Sequence, residues 1–416
     1  MLQPKLRFKT FNDKWNIKQL RKVLEFKNGI NASKEQYGKG IKFINVLDIL
    51  NNDFITYDNI IGKVNIDKNL LEKYSVSYGD ILFQRSSETR EEVGMANVYL
   101  DKNKIATFGG FVIRGKKIGS YEPYFMNKLL QTNLVRNEII SKAGGSTRYN
   151  VGQDILSEVK IIIPSIQEQK KIADFLSSVD VKINLTENKL ELLKEYKKGI
   201  MQKIFNQELR FKDSNGSDYP KWEEKKLGEL PIYVSDGNYG ELYPKQEELL
   251  EQGVPFIRVN NLKNSKISFK EMKYISKELH QILLSGHLIE SDILVCTRGE
   301  IGIVAYVDYK FNGANINAQL CLLRIKDKNI IIPHFLLHSL NSYNIQKQFK
   351  ELQTGSALKQ LPKKNLSKLI FNIPCLEEQQ KITDFLSSID DKIEKLSSNL
   401  EELKEFKKGL LQQMFV

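Results

Sequence analysis

Apolar residues recur in alternating steps of three and four along two stretches of this chain, and the two stretches are copies of each other. Residues 164–205 carry Ile172, Leu176, Val179, Ile183, Leu190, Leu193, Ile200 and Ile204. Residues 374–415 carry Ile382, Leu386, Ile389, Ile393, Leu396, Leu400, Leu403, Leu410 and Met414. This spacing is the heptad seam of a coiled coil. The copies align without a gap at an offset of 210, with 23 of 42 positions identical, so the repeat is the first feature any fold must accommodate. The seam turns polar at Thr186, where the second copy has Leu396, and at Lys197 and its counterpart Lys407. A polar seam residue fixes register at some cost in stability. Pro164 and Pro374 predict sharp helix starts. Ser165 with Glu168 fits a capping box, in which hydroxyl and carboxylate close the free amides of the first turn. The second copy keeps Glu378 but has Cys375 at the cap, which predicts a weaker first turn. A helix of about 40 residues is roughly 60 Å long and must bury its stripe, for which the other copy is the obvious partner.

Outside these stretches the pattern shortens to strand-length runs, and these recur as well. Residues 40–46, 79–83, 104–108 and 159–163 read as strands, 122–140 as a helix and 144–150 as a loop. In the second half, 253–259, 291–295 and 369–373 repeat the strands, 333–349 the helix and 355–360 the loop. The opening Leu6-Arg7-Phe8-Lys9, followed by Trp15 and Leu20, returns as Leu209-Arg210-Phe211-Lys212 followed by Trp222 and Leu227. There it directly follows a long helix, whereas the first copy opens the chain, so the repeat is cyclically permuted. Each globular part then adjoins the start of one helix and the end of the other, which requires the helices to run antiparallel. The expected fold is α+β: a globular domain over 1–163, a central helix over 164–206, a second globular domain over 207–373 and a C-terminal helix over 374–416. The two similar domains are separated by two long antiparallel coiled-coil helices about a pseudo-two-fold axis.

Length and composition sharpen this. At 416 residues the chain exceeds one ordinary core and predicts two to four domains. No apolar run reaches membrane-span length, and the opening MLQPKLRFK does not read as a signal peptide. Cys296, Cys321 and Cys375 are scattered without paired spacing, which points away from a disulfide framework or zinc site and toward a reducing, cytoplasmic setting. The formal charge of +12 favours a polyanionic partner, nucleic acid first.

No catalytic set accompanies that charge. There is no phosphate-binding Gly-x4-Gly-Lys-Ser/Thr loop, no Asn-Pro-Pro-Tyr-like methyltransferase motif and no glycine-rich cofactor loop after a strand. His334 and His338 have the spacing of a metal pair on a helix but no third ligand, so ordinary helix positions are the better reading. Asp80 and Asp292 open equivalent strands, where a turn-forming carboxylate is expected. What does stand out is polar and cationic side chains in loops. In the first half these are Gln84, Arg85, Ser86, Arg90, Arg148, Tyr149 and Asn150. In the second they are Asn238, Tyr239, Arg258, Asn260, Asn261, Thr297, Arg298, Asn315, Asn317, Lys359 and Gln360. Arg donates bidentately to guanine and Asn or Gln to adenine in the major groove, while Lys holds phosphates. These are the candidate DNA contacts.

With these residues on the page, the chain resembles the DNA-specificity subunit of type I restriction–modification systems, over nearly its full length. The resemblance rests on the duplicated IP-x3-EQ-x-KI-x-DFLSS-x-D-x-KI helix starts and their KKG-x2-Q ends. It also rests on Gly253-Val254-Pro255-Phe256-Ile257-Arg258 with Asn261-Leu262, and on Ser291-Asp292-Ile293-Leu294 followed by Thr297-Arg298-Gly299-Glu300-Ile301-Gly302. The first half departs from it, with Gln84-Arg85-Ser86-Ser87 in place of the Gly-x-Ile-Gly turn and Asn28-Gly29 where the second half has Asp236-Gly237. The resemblance implies a non-catalytic chain whose two target recognition domains each read one half of an asymmetric bipartite site. The helices would set the spacer and dock two modification (methyltransferase) subunits. S-adenosylmethionine, ATP and Mg would belong to the partner methyltransferase and to restriction subunits, with no cofactor in this chain. A doubled docking surface would explain why Glu168, Gln169, Lys171, Asp174, Ser177 and Ser178 recur at Glu378, Gln379, Lys381, Asp384, Ser387 and Ser388. The competing readings are a stand-alone DNA-binding adaptor or regulator, a self-sufficient methylase or nuclease, and a coiled-coil protein that binds no nucleic acid.

Overall fold

The two apolar stripes form two long helices. In the computed structural model, which describes residues 3–355 and 359–416, α1 spans Ile166–Phe205 and α2 spans Leu376–Met414. The chain divides into two compact units, residues 1–188 with 398–416, and residues 189–397. Each unit therefore holds one globular part together with a length of both helices.

Both units are built on the same strand order. In the first, an antiparallel sheet runs Leu24–Asn28, Val112–Lys117, Ile81–Gln84, Ala96–Val98. A smaller sheet runs Lys63–Val64, Tyr37–Ile44, Thr107–Phe108, the last pair parallel. Asn16–Gln19 pairs with Lys160–Ile163 just before α1. In the second unit the corresponding sheets run Ile232–Asp236, Leu320–Ile325, Ile293–Cys296, Val304–Tyr306, and Lys273–Ile275, Val254–Ile257, Asn315–Ile316. Glu223–Lys226 pairs with Ile370–Ile373 just before α2. The central strands Ile81–Gln84 and Ile293–Cys296 are buried at every position, as their unbroken apolar runs predict.

The helix ends complete the cores of the globular parts. Ile172, Leu176, Val179 and Ile183 of α1, with Leu410 and Met414 of α2 and the adjoining Phe415, join Trp15, Phe83, Phe125 and Ile161 in the first unit. Met201, Ile204 and Phe205, with Ile382 and Leu386, join Trp222, Ile293, Phe335 and Phe371 in the second. Phe415 lies 5.2 Å from Phe125, and Phe205 lies 5.9 Å from Phe335, between ring centroids. The seam is thus shared between the partner helix and the sheet layer. Leu190 and Ile389 are buried, while Leu193, Ile393, Leu400 and Leu403 are half-buried.

The polar seam positions carry ion pairs. In the first unit Lys407 Nζ lies 2.6 Å from Asp180 Oδ1 and Lys404 Nζ lies 2.7 Å from Glu187 Oε1. Residue numbers rise along α1 as they fall along α2, so the helices are antiparallel there. In the second unit Lys197 Nζ lies 2.5 Å from Asp390 Oδ1, the same pair with the copies exchanged. Thr186, the other polar position, donates to Lys182 O within its own helix at 2.8 Å.

Four expectations are corrected. The helix at 122–140 is two helices, Pro123–Leu130 and Asn133–Lys142, because Thr132 is extended and donates its hydroxyl back to Leu129 O at 2.7 Å. The one at 333–349 is likewise Pro333–Leu340 and Tyr343–Glu351, with Ser342 capping the second. The strand at 104–108 contracts to Thr107–Phe108, with Ile105 exposed. The capping box at Ser165 is only half made. The hydroxyl accepts from Glu168 N at 3.4 Å, but the Glu168 carboxylate is buried and takes Arg7 Nε and Nη2 at 2.7 and 2.8 Å, with Trp15 Nε1 at 3.4 Å. Glu378 holds Arg210 at 3.1 and 2.6 Å and Trp222 Nε1 at 2.9 Å in the same way. Of the loop expected at 355–360, residues 356–358 lie outside the described residues.

Gln169 accepts from Glu122 N and donates to Pro164 O, both at 3.0 Å; Gln379 accepts from Ile332 N at 2.9 Å and donates to Pro374 O at 3.0 Å. Glu168, Gln169, Glu378 and Gln379 are therefore internal fastenings, not part of an exposed docking face. Lys171, Asp174, Ser178, Asp384 and Ser388 are exposed, and Ser177, Lys381 and Ser387 half-buried.

Candidate nucleic-acid interface

In each unit the same three loops converge, and backbone hydrogen bonds fix how. After Ile81–Gln84, Arg85 N donates to Phe111 O at 2.9 Å and Val151 N donates to Arg85 O at 3.0 Å. In the second unit Thr297 N donates to Gln319 O and Leu361 N to Thr297 O, each at 2.8 Å. Beside this, Asn150 pairs with Ser86, as Gln360 pairs with Arg298. The loops thus correspond residue for residue, Arg85 with Thr297, Ser86 with Arg298, and Asn150 with Gln360. A third segment joins through a glycine. A Cβ on Gly29 would stand 2.1 Å from Gly109 O, and one on Gly237 would stand 2.4 Å from Asn317 O. Only glycine lets the backbones pass that closely, which is why Gly occupies both positions.

The side chains on this shared frame differ. The first unit presents Arg85, Arg90, Arg148 and Asn150 to solvent, with Ser86 and Tyr149 half-buried. The Arg85 guanidinium reaches Gly110 O at 3.4 Å, Arg148 lies 3.6 Å from Glu88, and Arg90 lies 6.0 Å from the Tyr149 ring centre. The Ser86 hydroxyl bonds Asn150 Oδ1. The second unit presents Tyr239, Asn260, Arg298, Lys359 and Gln360. The Arg298 guanidinium lies 4.8 Å from the Tyr239 ring centre, and the Tyr239 hydroxyl donates to Ala318 O at 3.1 Å. Arg258 is half-buried, with Nη2 on Glu271 O at 2.8 Å. Exposed guanidinium, amide and phenol groups at paired loop tips can donate to base edges and phosphates.

Six candidate contacts are corrected, because their side chains are buried. Gln84 donates to Ser86 O at 3.0 Å. Asn238 accepts from Leu284 N and Ser285 N and donates to Ser285 O at 2.7 Å, tying its loop to the distant Leu284–Ser285 segment. Asn261 accepts from Arg258 N at 3.0 Å and donates to Ser268 O and Lys270 O. Thr297 donates to Gln319 O at 3.2 Å, and Asn317 accepts from Gln319 N at the same distance. Asn315 bonds the His280 ring. All six serve the frame.

Asp80 accepts from Ser77 N and Lys117 N at 3.0 and 2.9 Å, while burial pushes its carboxyl above the usual range. Asp292 accepts from Ile289 N at 2.9 Å and grips Arg324 through both oxygens, which raises the Arg324 pKa. His334 lies against the Tyr306 ring at 4.2 Å, and buried His338 faces Ser387 Oγ at 3.5 Å. Burial pushes the His338 imidazole down to about 3, assisted by Lys197 and His334. Among the described residues no three His, Cys, Asp or Glu side chains gather as a metal site.

Sequence reading missed Glu168, Glu378, Asp180 and Asp390 as anchors. The signal was the joint recurrence of Arg7, Trp15 and Glu168 as Arg210, Trp222 and Glu378.

Known proteins repeat this arrangement. The type I restriction modification DNA specificity domain matches residues 12–195 and again residues 219–405. A putative type I restriction enzyme specificity subunit, MjaX, of Methanocaldococcus jannaschii is 27% identical over 414 residues, covering 95% of this chain and 92% of its own. The EcoKI specificity subunit of Escherichia coli is 22% identical over 421 residues, covering 92% and 84%. The crystal structure of the type I restriction–modification S subunit from M. genitalium has the same fold, with a TM-score of 0.60 at 17% identity, over 100% of this chain and 99% of that one. With both halves matched and one frame built twice, this chain belongs to the type I restriction–modification DNA specificity family.

Proposed function

We propose that the two units read the two halves of one asymmetric DNA site for a methyltransferase carried by separate subunits. The observation that supports this most is the pairing of a common frame with unlike exposed tips. The loop–loop bridge recurs, yet it displays Ser86 and Asn150 beside Arg85 in one unit and Arg298 and Gln360 beside Tyr239 in the other. A symmetric reader would repeat the tips as faithfully as the frame. The length of α1 and α2 sets the spacing of the half-sites, and their exposed recurring residues, Lys171, Asp174 and Ser178 with Asp384 and Ser388, offer like surfaces to two copies of one methyltransferase. S-adenosylmethionine, ATP and Mg act in those partners and in restriction subunits.

The test is to purify the tagged full chain from its host and to map methylated adenines in host DNA. Co-purification of a methyltransferase subunit, and a bipartite motif with unequal halves that vanishes when the chain is deleted, are expected. Salt-dependent DNA binding with no methyltransferase and no change in methylation would instead support the stand-alone adaptor.

A further inference from the structure

The loop tips of the first unit border a concavity of about 240 Å³. Its walls include Tyr37, Phe43, Val46, Leu47, Phe111 and Asn45, and its lining carries no carboxylate. Tyr37 at the start of its strand, Leu47 in the short helix Val46–Leu50 and Phe111 are 46%, 66% and 63% exposed, an unusual extent of clustered apolar surface. The concavity adjoins the candidate interface directly. Arg85 donates its backbone N–H to Phe111 O, and its guanidinium reaches Gly110 O, which lies on the rim.

The second unit shows what stands in the same place. Asn45 N bonds the side chain of Asp48 three residues on, as Arg258 N bonds Asn261. That register sets Asn45 against Arg258 and Leu47 against Asn260, and the bonds from Arg85 and Thr297 set Phe111 against Gln319. Where the second unit offers the amides of Asn260 and Gln319, the first therefore offers Leu47 and Phe111. Hydrogen-bonding side chains suit base edges rich in donors and acceptors. An apolar hollow beside an arginine suits the one apolar group in the major groove, the 5-methyl of thymine.

We propose that this concavity receives the 5-methyl edge of a thymine in the half-site read by the first unit, with Leu47 and Phe111 as specificity-determining residues. The proposal rests on the reading of the two units as half-site readers and adds the chemistry that one of them selects. It adds a methyl contact to the hydrogen bonds of the first half-site at the place where the second unit offers amides.

The experiment uses duplexes carrying the mapped site and the full chain in the complex recovered from its host. Each thymine is replaced in turn by deoxyuridine, which keeps every hydrogen bond and removes only the methyl. One replacement should weaken binding about fourfold, as expected for one methyl-sized apolar group. Leu47→Ala and Phe111→Ala, both at exposed positions, should weaken binding to the thymine duplex and abolish the thymine–deoxyuridine difference at that position alone. Specific binding with no sensitive thymine, a half-site without thymine, or a sensitivity untouched by both substitutions would overturn the proposal while leaving the half-site reading in place. Loss of all sequence preference would sink that underlying reading instead.

Discussion

The two units are alike where they hold α1 and α2 and unlike where they meet solvent. Glu168 and Glu378 are both buried, and each grips an arginine and a tryptophan from the segment that opens its unit. The interhelical pair also recurs, but in different surroundings. Asp180 is buried, with Lys407 at 2.6 Å, Lys128 at 3.6 Å and the Tyr124 hydroxyl bonded to it. Asp390 has Lys197, and His334 and His338 stand where the first unit has Tyr124 and Lys128. A duplicated frame thus keeps its fastenings while it exchanges the groups around them. Exposed tips change most freely because nothing packs on them.

The largest effect should come from the fastening that both units share. Removing the carboxylate with Glu168→Ala leaves the buried Trp15 indole N–H without its acceptor and the half-buried Arg7 guanidinium with Asp13 O at 2.6 Å in place of an ion pair. Breaking one side of a buried ion pair costs about 3–5 kcal/mol. Glu378→Ala should cost a similar amount, since Arg210 and Trp222 lose the same bonds. Urea titration followed by tryptophan fluorescence reports both, because Trp15 and Trp222 are the only tryptophans. A loss under about 1 kcal/mol in either variant would reduce these contacts to surface pairs.

The interhelical pair should separate the units. Asp180→Asn leaves two ammonium groups facing a neutral amide in a buried place, and about 3 kcal/mol should be lost. Asp390, with its side chain 38% exposed, sits in solvent reach, and Asp390→Asn should cost less than about 1 kcal/mol. Equal losses in the two variants would show that the surroundings of the pair do not matter.

The heptad steps, the permutation and the paired strand runs were all legible, because burial imposes a period on sequence wherever an element has one wet and one dry face. The antiparallel direction followed from order alone. Polar residues were harder. Asn261 and Asn260 are neighbours of like chemistry, yet one closes a turn at Arg258 N and the other faces solvent. An amide suits a backbone as well as a base, so residue type cannot distinguish the uses. Register can: Asp48 holds the position of Asn261 in the first unit and caps the same turn through Asn45 N. Glu168 misled for a related reason. Its spacing from Ser165 fits a capping box, but a guanidinium offers a carboxylate stronger, charge-assisted bonds than a backbone amide does.

The two units should also differ in acid sensitivity. His338 is buried at the position that Lys128 fills in the first unit, and burial holds its imidazole neutral, with a pKa lowered from 6.5 to about 3. In the unfolded chain this histidine takes up a proton as the pH falls through 6.5, whereas in the folded chain it does so only near 3. The unfolded state therefore binds more protons across that window. The stability tied to the neutral ring is fully present above pH 6.5 and drains away as the pH falls toward 3. At pH 5 roughly 2 kcal/mol should already be gone. Lys197 and His334 add to the effect, since both oppose a second charge there. Hydrogen exchange at pH 7 and pH 5, corrected for intrinsic rates, should show Pro333–Leu340 losing protection while Pro123–Leu130 keeps more of its own. His338→Gln keeps a polar group near Ser387 but cannot titrate, so it should level the two segments. If the difference survives that substitution, the acid sensitivity of the second unit arises from other groups.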